Sequence, residues 1–104
     1  MKELINLIDI TAQAELNKAN ETWPQFHSKH EAIGVIAEEV FEMKEEMRPF
    51  EEAWEGLIVA AFRDFDCERP LKDAERRIQA ALAEGVQVLA MLKKFKCFLD
   101  KEEK

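Results

Sequence analysis

Turning points are scarce in this chain. Its 104 residues hold three prolines, Pro24, Pro49 and Pro70, and three glycines. A chain with so few places to reverse runs in long regular segments, and its abundant Ala, Leu, Glu and Lys make those segments helices. The length suits one domain, residues 1–104, and is too short for two.

The prolines and the apolar spacing together predict four helices, at about residues 3–20, 29–48, 50–65 and 71–99. The first carries Leu4, Ile5, Leu7, Ile8, Ile10 and Leu16 on a broad apolar side. Pro24 disfavours helix at Trp23. Ser28 then reads as an N-cap, with Glu31 three residues on completing a capping box. Pro49 is expected to end the second helix and Pro70 to precede the fourth. The last five residues, "DKEEK", are expected to fray as a polar tail. Four helices with short connections predict an all-α, four-helix bundle.

Charge narrows the function classes. Fifteen basic against twenty-two acidic residues give a formal net charge of −7, which repels phosphate backbones and anionic lipid. Nucleic acid is therefore not an expected partner, and a polyanion needs a cation to mediate. No apolar run approaches the ~18 residues of a membrane span, and "MKELINLIDITAQAE" lacks the unbroken apolar core of a signal peptide. Cys67 and Cys97 form no CxxC and read as reduced thiols. A soluble cytoplasmic protein without membrane contact is the expectation.

Two stretches carry candidate chemistry. In "HEAIGVIAEEVFEMKEE", Ile33, Ile36, Ala37, Val40 and Met47 gather on one side of a helical wheel. Glu31, Glu38, Glu42 and Glu45 lie opposite, with Glu39 and Glu46 at the edge. An acidic face is usually just solvated, and this stretch alone does not decide otherwise. The second stretch, "AALAEGVQVLAML", is apolar all round except at Glu84 and Gln87. A helix that apolar is buried on most sides, which a chain this small achieves by packing against a copy of itself. A carboxylate buried there needs a cation, an Arg or Lys, or a shared proton. Glu84 is thus either a structural ion pair with Gln87 bonded beside it, or a metal ligand. Set against the acidic face, it brings several oxygen donors together, a set that suits Mg²⁺ or Mn²⁺.

"HEAIGVIAEEVFEM" followed by "AEGVQVLAM" resembles the MazG-like all-α nucleoside triphosphate pyrophosphohydrolases, over roughly residues 26–96. That family has Glu-Glu-x-x-Glu on one helix, matched by Glu38, Glu39 and Glu42, and Glu-x-x-Asp on a later one, matched at Glu84 and Gln87. The resemblance implies Mg²⁺-dependent hydrolysis of a nucleoside triphosphate to the monophosphate and pyrophosphate, with Mn²⁺ as a possible substitute. Glu38, Glu39, Glu42, Glu84 and Gln87 would hold the metal, and Glu38 or Glu39 would orient or deprotonate the attacking water. It also implies a homodimer or homotetramer.

One position departs from the pattern. Gln87 replaces the family's Asp, as in phage-associated members, and an amide oxygen ligates without adding charge. The same change suits an alternative, a catalytically weak homologue that binds a nucleotide or a protein. Residues 49–70 are long for the compact members. Trp23, Phe26, Glu31 and Trp54 are candidates for substrate contact, the aromatic residues by stacking on a base, although core packing is their ordinary role. His27 and His30, even with Glu31, make too small a donor set for a transition-metal site. Met43, Met47 and Met91 read as core.

Overall fold

The computed structural model describes residues 1–102, which are helical almost throughout. The all-α expectation holds, but with three helices: α1 (Lys2–Ala19), α2 (Lys29–Phe62) and α3 (Glu68–Glu102). Five residues, 63–67, join two helices of 34 and 35 residues that pack along each other, so α2 and α3 form a long antiparallel hairpin. α3 is the shared element, packed against α2 and, separately, against α1. No helix among the described residues is long and apolar enough to cross a membrane.

The expected break at Pro49 is absent, because the second and third predicted helices are one. A mid-helix proline forfeits a backbone hydrogen bond and costs roughly 3 kcal/mol. The compensation is a packing seam that crosses Pro49 without losing register. Ala32, Ile36, Glu39, Met43, Glu46, Phe50, Ala53, Leu57 and Ala60 alternate four- and three-residue steps, and all are buried or half-buried. α3 answers with Pro70, Ala74, Arg77, Ala81, Glu84, Val88, Met91, Phe95 and Phe98 at the same alternation. This is the heptad spacing of a two-helix coiled coil.

Helix ends follow local chemistry. Ser28 Oγ accepts from the Glu31 N–H at 3.0 Å, as expected of an N-cap. The reciprocal half of the capping box is not made, since the Glu31 carboxylate turns to His27 Nδ1 at 3.2 Å. α3 starts at Glu68, three residues earlier than expected. Asp66 Oδ1 accepts the Glu68 N–H at 3.0 Å, and Pro70 sits within the first turn, where a missing donor costs nothing. The helix continues through Asp100, Lys101 and Glu102, while residues 103 and 104 of the expected fraying tail lie outside the described residues.

The core lies where all three helices meet. Ala12 and Leu16 of α1, Phe26 of the linker, Ala32 and Ile36 of α2, and Ala90 and Met91 of α3 form it. Lys94 is buried beside them, its ammonium donating to the Trp23 carbonyl and lying 4.9 Å from the centre of the Phe26 ring. Beyond this knot the molecule is open. It measures 62 × 28 × 22 Å with a radius of gyration of 17.7 Å, against about 13 Å for a compact chain of this length. It exposes 8054 Å², about 2000 Å² more than a folded monomer of its mass. Leu4, Ile5, Leu7 and Ile10 on α1, and Ile33 and Phe41 on α2, are among the exposed apolar residues.

Candidate metal centre

The seam decides which glutamates meet. On α2 the packed face is rotated by about a quarter-turn from the centre of the wheel's apolar side. Ile33 and Ala37 consequently face solvent, while Glu39, Met43 and Glu46 turn toward α3. Met43 Sδ comes within 3.6 Å of where a Cβ on Gly85 would lie, which brings this stretch of α2 alongside Glu84. The seam is thus apolar over the core and carries carboxylates in its middle.

One carboxylate oxygen from each of Glu39, Glu42 and Glu84 lies within 4.8 Å of the others. Glu39 and Glu42 are one turn apart on α2, so both reach the same neighbour on α3. Among the described residues, none of Glu38, Glu39, Glu42, Glu46 and Glu84 makes an ion pair with Lys, Arg or His. The structural ion pair that was one reading of Glu84 is therefore not formed among those residues.

Electrostatics records the crowding. Burial pushes the Glu39 carboxyl above the ordinary range, and the charges of Glu42, Glu84 and Glu38 add to the shift. Glu84 is raised likewise, first by burial, then by the charge of Glu42 and a hydrogen bond shared with it, then by Glu46. Carboxylates held together without a counter-cation can share protons or take up a cation. Three hard oxygens from two rigid helices fit Mg²⁺ or Mn²⁺, which bind a few carboxylates and keep the rest of their shell for water or phosphate.

The remaining candidates are dispersed. Glu38 is exposed beside Glu39, and its carboxylate is not one of the three that converge. Gln87 is half-buried one turn beyond Glu84. Trp23 is 71% exposed in the linker and Trp54 is 50% exposed on α2, each free to meet a ligand. Phe26 is buried in the core against Lys94, so it packs and presents no face for stacking. Glu31 is exposed and tied to His27. Cys67 and Cys97 are free thiols.

Two residues outside the sequence-based site stand out, one beside the carboxylates and one at the linker. Glu46 raises the Glu84 carboxyl from the next α2 seam position, and the 4–3 alternation that runs through it is the signal that identifies it. Lys94 anchors the linker, and burial lowers its ammonium's pKa against the opposing charge of Glu31. Nothing in the run "KKFK" distinguishes it from its exposed neighbour Lys96. No family model, curated protein or solved structure matches this chain.

Proposed function

We propose that this chain is a MazG-like nucleoside triphosphate pyrophosphohydrolase, a cytoplasmic enzyme that releases pyrophosphate and a nucleoside monophosphate. The observation that carries the proposal is the convergence of Glu39, Glu42 and Glu84 across two helices with no cation paired to them among the described residues. Glu39, Glu42 and Glu84 would hold Mg²⁺ (or Mn²⁺), with Glu38 beside Glu39 on α2 and the Gln87 amide one turn beyond Glu84 on α3 as the further donors of the proposed set. When bound, the ion supplies charge neutralisation on the phosphates and a lowered pKa for the attacking water. Glu39 would take the proton of that water at its carboxylate. The water oxygen bonds to the α-phosphorus as the bond to the bridging oxygen breaks, and pyrophosphate departs. Trp23 and Trp54, both exposed, are the candidates to stack on a base.

Assembly as a homodimer or homotetramer belongs to the same proposal. The ~2000 Å² of surplus surface matches what one protomer of a large obligate interface buries. An apolar groove of about 430 Å³, lined by Ile33, Ala37, Val40 and Phe41, is its natural centre. Gln87, which adds no charge to the donor set, supports a second reading, a weakly catalytic homologue that binds nucleotides. Pyrophosphate release from a panel of nucleoside triphosphates with Mg²⁺ and Mn²⁺, beside folded Glu39→Gln and Glu84→Gln variants, tests both. Turnover lost in the variants supports the hydrolase. Metal-dependent nucleotide binding without turnover in the parent chain supports the second reading.

A further inference from the structure

A second site lies further along the hairpin, on the far side of Pro49. Between α2 and the start of α3 runs an open groove of about 700 Å³. Its α2 wall is made of small or short residues, Pro49, Ala53 and Gly56, which leave room instead of filling it. Its α3 wall is basic: Arg69, Lys72, Arg76 and Arg77. Glu52 and Asp73 are the carboxylates that line it, so its lining carries two more positive than negative charges. In a chain of net charge −7 that is a local reversal of sign.

The cations are arranged rather than merely near. Arg76 Nη2 lies 2.9 Å and Arg77 Nε 3.6 Å from the same oxygen of Asp73. One carboxylate therefore holds two guanidiniums side by side and neutralises one of them. The Arg76 hydrogen bond keeps the Asp73 carboxyl below its usual range, so it stays charged in that role. Lys72 is paired with Glu68 at 3.3 Å, while Arg69 makes no ion pair among the described residues. Arg69 and Lys72 also stand at the start of α3, where the helix dipole is positive and cations are disfavoured. Side chains and dipole thus leave a net positive field at the groove, with Arg69 unpaired among the described residues and Asp73 offsetting only one of its two guanidiniums.

We propose that this groove is a metal-independent binding site for an oligophosphate anion. Guanidinium forks match phosphate oxygens. Arg69 and Arg76 are seven residues apart, about 10 Å along the helix, which suits charges spread along a chain better than a single carboxylate. The site is distinct from the carboxylate cluster, since Arg77 and Glu84 are also about 10 Å apart along α3, and it stands whether or not the hydrolase proposal does.

Calorimetric titration of the full chain with inorganic tripolyphosphate, in chelator and without divalent ions, tests it. The glutamate cluster repels phosphate under those conditions and so contributes no binding. Arg69→Ala with Arg76→Ala should weaken binding by at least about tenfold, and Arg69→Ala alone, which breaks no ion pair, should weaken it measurably. Lys18→Ala with Lys96→Ala removes the same charge from other surfaces and should leave affinity within about twofold. Glu84→Gln should not reduce it. Absence of binding by the parent chain, equal weakening by both double variants, or loss in Glu84→Gln would each overturn the site.

Discussion

Replacing Glu84 with glutamine should make the metal-free protein more stable, not less. The substitution keeps the shape and helix propensity of the side chain and removes one of three converging charges. At 4.8 Å, each carboxylate pair repels by about 0.9 kcal/mol in water-like surroundings and about 3.5 kcal/mol at an effective dielectric constant of ~20. Glu84 is half-buried and Glu42 is exposed, so water screens the repulsion. The lower end therefore applies. Removing the contacts to Glu39 and Glu42 should gain about 1–2 kcal/mol. For a chain of this length that is a rise in Tm of about 5–9 °C. The assay is thermal unfolding by circular dichroism near pH 7.5 in chelator at low salt. The gain should shrink in 1 M NaCl, which screens the repulsion. Adding millimolar Mg²⁺ should raise the Tm of the parent protein and move the variant much less. An unchanged or lowered Tm in Glu84→Gln would refute the reasoning, because a carboxylate engaged in a favourable ion pair loses stability when neutralised.

Three further outcomes are expected. The folded-state pKa values of Glu39 and Glu84 are raised, so the folded chain binds more protons than the unfolded one as pH rises from the ordinary carboxyl range through those values. Metal-free stability should accordingly fall as pH rises from the ordinary carboxyl range through those raised values, and saturating Mg²⁺ should flatten that slope in parallel melts. Leu16 is 2% exposed in the three-helix core, so Leu16→Ala should cost about 2–4 kcal/mol in urea unfolding. Phe41 is 62% exposed beside the apolar groove of α2. Phe41→Glu should shift sedimentation toward the monomer while retaining helicity, and an unchanged sedimentation coefficient would remove that face from the interface.

Helical character, the N-cap at Ser28 and the linker around Pro24 were legible in the sequence, because each rests on chemistry within a few residues. So was the candidacy of Glu84, a lone carboxylate in an apolar run. Pro49 shows the limit of local reasoning: its penalty is real, but a seam of nine packed positions on α2 outweighs it, and that sum is tertiary. Pro70 shows the same limit in milder form, since only the Asp66 cap reveals that it sits inside a first turn.

By its sequence alone the chain determined that it would be helical, acidic and supplied with clustered glutamates, since propensity, charge and spacing are properties of short stretches. Only the tertiary structure decided which glutamates converge. Pairing with α3 turned the packed face of α2 about a quarter-turn from its apolar centre. That rotation brought Glu39 and Glu42 to Glu84 and left Ile33 and Phe41 to solvent. The same long hairpin, continued past Pro49, opened the basic groove at its other end. A helix wheel ranks faces by hydropathy, whereas the partner helix selects the face whose spacing keeps both in register along their whole length.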